Sequence, residues 1–441
     1  MSASAALPAS PKTATSPAQV LPGRLSSIDA YRGFVMFLIM AQSLNLIYMA
    51  KLFPESRFWW FLGHHQDHVQ WVGCILHDII QPSFTFLVGV VLPFSIASRL
   101  SRQQSKWRLT GHAISRSLIL VALGIFLRSL SHDQTYFIFV DTLTQIGLGY
   151  AFVYFLAWRR TWMQWLALVL ILVGYWAAFA LYPAPDANFD YAAVKVFDKW
   201  PTDATYAQTS LWNQNVHVMP GFASHWNENS NLAWKVDTWF LSFFPSESDE
   251  IPGERVGGYA TLSFIPTLGT MILGLIAGGV LISKRAPWRK VLWLAVAGAI
   301  CLALGLAAHL LGVCPIVKRI WTPSWTLFSG GLCLCLLAAF YAVIDIWQFR
   351  RWAFPWIVIG MNSIAAYCMA EYLLVSDGPG PGWIAKNLKT HLGQDAFKFL
   401  DRWLHLPAGQ TYEPVVLGAA IMLVIWLILY YMYRQRIFVR I

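Results

Sequence analysis

Charge is scarce in this chain. Asp, Glu, Lys and Arg together make up 12% of its 441 residues, where a soluble domain carries about 25%. A solvated surface enclosing a polar-coated core is therefore excluded. Alternating apolar and polar runs, the mark of half-buried strands, are missing as well. Cysteine is sparse and unpatterned: the six cysteines form no CxxC, and Cys301, Cys333, Cys335 and Cys368 sit inside apolar runs, so neither a metal ribbon nor a disulfide framework is indicated. Cys74 and Cys314 fall near one face, where a bridge would require that they meet. No HExxH helix motif occurs, and no repeat relates the two halves. The first 24 residues, rich in Ala, Ser and Pro, have no apolar stretch of the kind that marks a cleaved signal peptide, and read as a disordered tail.

What remains is apolar: 57% of the residues are hydrophobic. Runs of roughly the 20 residues needed to cross a bilayer recur at 30–50, 75–98, 111–130, 139–158, 163–182, 259–283, 288–312, 322–344, 353–375 and 415–433. The expected fold is an all-α integral membrane protein of about ten helices, with residues 25–441 as one transmembrane domain after the tail at 1–24. Lys and Arg cluster after every even-numbered span: Arg99, Arg102, Lys106 and Arg108; Arg159 and Arg160; Lys284, Arg285, Arg289 and Lys290; Arg350 and Arg351; Arg434, Arg436 and Arg440. Because cytoplasmic loops carry the basic excess, both termini are expected in the cytoplasm. Residues 51–74, the long loop 183–258 between the fifth and sixth helices, and an amphipathic segment at 376–414 then face outward. The formal net charge of +10 is accounted for by this pattern, and no nucleic-acid partner is implied.

Ionisable groups at membrane depth are costly, on the order of 3 kcal/mol or more, and commonly line a cavity or do chemistry. The block HVQWVGCILHDIIQPSFTFLVG, His68 to Gly89, carries His68, His77 and Asp78 into the second span. Were 68–78 one helix, His68 and Asp78 would stand about 15 Å apart along the axis and on different faces. A direct pair requires the chain to break near Gly73; otherwise Asp78 organises a second layer with His77 or Arg128. The preceding HHQDH cluster reads as a solvated loop, as a weak metal site, or, at His68, as a catalytic base, since imidazole titrates near neutrality. In the long loop, His225, Trp226 and Asn227 combine aromatic faces with amide groups, as carbohydrate recognition requires; an interfacial aromatic belt is the plainer alternative.

Six blocks carry a resemblance in register: RLSSIDAYRG from Arg24, the His68 block, DTLTQIGLGY from Asp141, YATLSFIPTLGTMILGLIAG, WTPSWTLFSGG from Trp321, and PWIVIGMNSIAAY from Pro355. Together they resemble the heparan-α-glucosaminide N-acetyltransferase family, a group of transmembrane acyltransferases, and suggest a bacterial relative. The resemblance implies transfer of an acetyl group from cytoplasmic acetyl-CoA, as co-substrate, to an amino sugar or glycan on the other side. It places the family's catalytic histidine at His68 and its aspartate at Asp78. The sequence departs from the family at the outer end of the first span, where Ser43 stands in register with an expected Asn and Asn45 follows; residues 183–224 match little, and an extra amino-terminal segment expected of the lysosomal form is not seen.

Acyl transfer needs a base, oxyanion donors and a channel for the donor. His68 is the candidate base, and an acetyl-histidine route is the alternative. Ser43, Asn45 and Asn362 are candidates to donate to the oxyanion or hold the pantetheine amides, although interhelical hydrogen bonding would use the same groups. Arg32, Arg116 and Arg128 are candidates for the phosphates of CoA, although helix-end anchoring would also explain them. No metal is expected. Membrane lipid is an expected partner, self-association stays open, and a bacterial inner membrane is favoured over a lysosomal one. Two other functions use similar residues: O-acylation of an envelope glycan or lipid, and secondary transport through buried Asp, His and Arg.

Overall fold

The computed structural model describes residues 25–130, 132–196, 217–245, 251–374, 382–407 and 409–439. The expected tail at 1–24 and parts of the two segments expected to face outward, 183–258 and 376–414, lie outside these. Among the described residues the chain is helical, and its one extended pairing is an isolated antiparallel bridge between Val72 and Val317.

Eight stretches are long and apolar enough to cross a bilayer: 26–52, 76–101, 106–129, 161–181, 261–282, 287–310, 323–346 and 413–434. They contain α1 (Ser26–Met40), α2 (Leu46–Leu52), and, after α3 (Arg57–Gln66) of the first loop, α4 (Ile80–Ser101) and α5 (Lys106–Ser129). Two expected spans take a different form. The segment at 139–158 becomes α6 (Thr142–Ala157), an apolar helix of 16 residues, short of the roughly 20 that a bilayer asks. After α7 (Thr161–Leu181), α8 (Leu232–Phe240) lies in the long loop, and α9 (Phe264–Ile282), α10 (Pro287–Leu310) and α11 (Pro323–Phe340) follow. The segment at 353–375 is broken at Asn362 into α12 (Phe354–Met361) and α13 (Ser363–Leu374), bent by 72°. Then come α14 (Trp383–Leu392), α15 (Phe399–Leu404) and α16 (Glu413–Arg434).

The centre of the bundle is α9, whose sequence FIPTLGTMILGLIAGGVLI has no charged residue and no polar face. A helix apolar all round is one surrounded by neighbours. It lies directly against α4, and glycines make the approach possible: a Cβ at Gly274 or Gly278 would run into the α4 backbone at Phe86 or Val90, and one at Gly89 into that of α9 at Met271. Without a hydrophobic drive between helices in lipid, such close backbone packing is what holds them.

At the opposite end of α1 from the long loop, the first helix is closed by a distant residue. Asp345, in a wide turn (Tyr341–Ile346) ending the α11 span, accepts from the Ser26 and Ser27 amides at 3.3 and 3.1 Å. A carboxylate there satisfies exposed amides and opposes the helix dipole.

The described part of the long loop folds back on the bundle. Trp226 is fully buried, stacked with Phe179 of α7 at 6.4 Å, and its carbonyl accepts from the Trp71 indole at 3.0 Å. His217 bonds Glu228 at 2.5 Å and Gln70 at 3.0 Å. These contacts fix the loop over residues 68–75.

Candidate functional site

Residues 68–75 are non-helical, and Gly73 takes φ 123°, a conformation side chains oppose. Its amide donates to Ile316 at 2.9 Å beside the Val72–Val317 bridge, so the segment is held against the turn between α10 and α11. Helix begins only at Leu76, as a short tight turn leading into α4. The break brings His68 and Asp78 together: Nδ1 of His68 donates to Asp78 Oδ1 at 2.8 Å. Asp78 is wholly buried; its second oxygen accepts from the Val69 and Ile75 amides at 3.3 and 3.1 Å. Three loop positions are thus gathered on one carboxylate.

A third charge completes the group. Lys318, only 5% exposed, donates from Nζ to the same Asp78 Oδ1 at 3.0 Å and lies 3.2 Å from His68 Nδ1. Burial and then the Lys318 ammonium push the His68 imidazole below its ordinary pKa, against the pull of Asp78. Burial alone would depress Lys318, but Tyr259 and Asp78 outweigh it and keep the ammonium charged. With Nδ1 committed to Asp78, Nε2 keeps its lone pair for the cavity that His68 lines.

That cavity is about 550 Å³. Gln42 enters it from the end of the first helix and donates to His77 Nε2 at 2.7 Å. Across from His68 stand Arg128, Asp141, Tyr367 and Glu371. Asp141 caps α6 through the Leu143 amide at 2.8 Å, pairs with Arg128 at 3.2 Å and accepts from the Tyr367 hydroxyl at 2.8 Å. A second cavity, about 580 Å³, opens at the other end of α4, among Arg32, Ser95, Arg99, Arg102 and Arg116. Thr142 and Tyr367 line both, so the two cavities meet at those side chains.

The predicted residues divide between these places. His68 and Asp78 form a pair, and the condition set by the sequence, a break at Gly73, is met. Arg32 and Arg116 line the basic cavity, Arg116 lying over the Tyr150 ring at 4.7 Å. Arg128 lies instead in the cavity with His68. Ser43 donates to the carbonyls of Met40 and Gly418, at 2.9 and 3.1 Å, and Asn45 is an exposed left-handed residue with φ 54° joining two helical segments. Asn362, fully buried, donates to the Ile437 carbonyl at 3.0 Å and accepts from the Val439 amide at 3.1 Å, anchoring the end of the described chain. His225 packs beside Phe222, and Asn227 accepts from the Met219 amide at 2.7 Å and donates to Tyr191 at 2.9 Å. Trp226 offers no face to a sugar because both sides are packed.

One expectation is corrected: His64 and His65 belong to α3 and not to a solvated loop; His64 is buried against Trp60 at 5.0 Å, and His65 accepts from the Leu76 amide at 3.4 Å. Cys74 and Cys314 are separate thiols, with no bridge between them. Among the described residues, no three His, Cys, Asp or Glu side chains converge as metal ligands do.

Gln42, Lys318, Tyr367 and Glu371 were not singled out in the sequence. A signal existed for Lys318: Lys318 and Arg319 are a basic pair in a short turn after an odd-numbered span, against the charge pattern of every other short turn. Arg319 donates to the Gly257 carbonyl at 2.6 Å and approaches Glu228 at 3.8 Å.

No protein-family profile matches the chain. It is similar to the heparan-alpha-glucosaminide N-acetyltransferase of Homo sapiens, 24% identical over 468 aligned positions that cover 95% of this chain and 60% of the human protein. The Mus musculus protein of the same name is 23% identical over 399 positions, covering 79% of this chain and 54% of its own length. The chain therefore spans somewhat over half the length of these relatives.

Proposed function

From the premise that the chain is a distant member of the heparan-α-glucosaminide N-acetyltransferase family, we propose that it transfers an acetyl group from acetyl-CoA on the cytoplasmic side to an amino sugar or glycan on the outer side. The observation that carries the reading is the His68–Asp78 pair, 2.8 Å apart, whose imidazole lines a cavity that meets a second, basic cavity at Thr142 and Tyr367.

In this reading the phosphates of CoA lie among Arg32, Arg99, Arg102 and Arg116, whose guanidinium groups suit them. The pantetheine arm reaches past Thr142 and Tyr367 and presents the thioester to His68. The acceptor amine lies in the His68 cavity. Nε2 of His68 removes a proton as the amine nitrogen attacks the thioester carbon, and the C–S bond breaks from the tetrahedral intermediate. The same proton then passes from Nε2 to the thiolate. Asp78 holds the imidazole with its lone pair toward the acceptor, and the cationic lining, Arg128 and Arg319 among it, faces the developing oxyanion.

The test is coupled loss of thioester in purified protein. Free thiol should appear only when acetyl-CoA and an amino sugar are both present, with acetylated sugar found by mass spectrometry. His68→Ala should slow turnover by about 10²-fold or more, the scale of a positioned base, while acetyl-CoA binding is retained. Full turnover in His68→Ala would overturn the site assignment. Acetylation of a hydroxyl alone would convert the reading to O-acyl transfer, and sugar movement without thiol release would replace it with transport.

A further inference from the structure

Asp78 Oδ1 is shared by two donors, His68 Nδ1 at 2.8 Å and Lys318 Nζ at 3.0 Å; Asp78 and Lys318 are buried, and the His68 ring reaches from them to the cavity with 38% of its side chain exposed. With Lys318 charged and His68 neutral, the three residues carry no net charge. Protonating His68 would leave a net positive charge beside the buried Asp78 and Lys318. Other charges face it too: Arg319 beside Lys318, His77 with its ring 4.8 Å from that of His68, Asp67 next in the chain, His64 and His65 on α3, and Arg128, Arg255, Asp141, Glu371 and Tyr259 around the cavity. None of these bonds the carboxylate that His68 uses; Lys318 does. Without Lys318, Asp78 would have a protonated His68 as its nearest counter-ion, and a buried carboxylate would hold the proton there.

We infer that Lys318 is a positioning residue that fixes the acidic limit of this site, its ammonium neutralising Asp78 so that His68 remains an unprotonated base in media where a lone His–Asp pair would carry a proton. The inference rests on the reading of His68 as the base, and it names a control built into that same site. It predicts a protein able to work on the more acidic side of its membrane.

The experiment reads His68 itself and needs no turnover. Purified protein is treated with diethylpyrocarbonate, which reacts with neutral imidazole, across pH 4 to 8, and modification of His68 is followed by peptide mass spectrometry. In Lys318→Gln, which keeps a donor for Asp78 but removes the charge, the midpoint should rise by about one to two pH units, the scale of one neighbouring charge. Lys318→Arg should keep the wild-type midpoint, and Lys318→Gln combined with Asp78→Asn should bring it back down. Lys318→Met repeats the test if Lys318→Gln does not purify as a single species. An unmoved midpoint in Lys318→Gln, or an equal rise in Lys318→Arg, would overturn the inference. Where acetyl transfer is measured, the acidic limb of its pH profile should move with the same midpoint. An inactive wild type whose His68 midpoint still depends on Lys318 would overturn the acetyltransferase reading alone.

Discussion

Single residues in this protein are placed by what their polar atoms lack elsewhere. Asp237 of α8 is buried and accepts one backbone hydrogen bond, from Thr261 at 2.9 Å. One bond does not offset the lost water, and burial raises the carboxyl from an ordinary 3.8 to about 6. A pKa raised in the folded state means the folded chain holds this proton more tightly than the unfolded one. The associated stability is present below pH 4 and is lost as pH rises through about 6. Asp237→Asn should therefore raise the melting temperature at pH 7, by the equivalent of at most about 3 kcal/mol, and give no gain at pH 4. Thermal unfolding in detergent at the two pH values checks this, and an equal effect at both would deny the titration. The His68–Asp78 pair was legible for a similar reason: two ionisable residues flanking a glycine in an apolar run have few ways to be satisfied. Lys318 was not, because its partner stands 240 positions away, and no local spacing encodes that distance.

Elements were read well where apolar length was the signal and poorly where geometry interrupts it. The eight long spans follow directly from hydropathy. The bend at Asn362 does not, since GMNS offers no proline, and the break is set by a side chain that bonds Ile437 and Val439 far along the chain. The contact between α4 and α9 lies between these cases. Gly274 and Gly278 are visible in the sequence, but only the structure says which helix they admit. Gly274→Val should push that helix away from Phe86 and destabilise the bundle by about 1 to 3 kcal/mol, as overpacking does. Gly279, with open space at its Cβ position, should accept alanine with little loss. Fluorescence-detected melting of the two variants, measured side by side, separates the outcomes; equal stability would mean that the crossing is looser than described.

For the molecule as a whole, the two cavities at opposite ends of α4 meet at Thr142 and Tyr367, and on the proposed function they would give a donor and an acceptor separate approaches. This arrangement has a direction only if the protein does. The basic clusters after the even-numbered spans, Arg99 and Arg102 among them, predict that the basic cavity faces the cytoplasm. A reporter fused after Ile441 should report a cytoplasmic carboxyl terminus, and a thiol-reactive probe that cannot cross membranes should label a cysteine substituted at Trp383 only from outside. Labelling from the cytoplasm would reverse the direction of the proposed transfer. In the long loop, Trp226 and Asn227, read from the sequence as either sugar-binding groups or an aromatic belt, pack against the bundle, because an aromatic residue in a loop packs as readily as it stacks on a ligand.

The pairing of Asp78 with Lys318 also has a history within each round of synthesis. The ribosome makes Asp78 first and Lys318 only 240 residues later, an interval of about 12 to 48 s at roughly 5 to 20 residues per second. Throughout that time the second span is already emerging with its carboxylate, and His68 is the ionisable partner at hand. A nascent chain stalled before Lys318 thus carries an incompletely neutralised acid into the bilayer, the kind of segment that membrane quality control can recognise and remove.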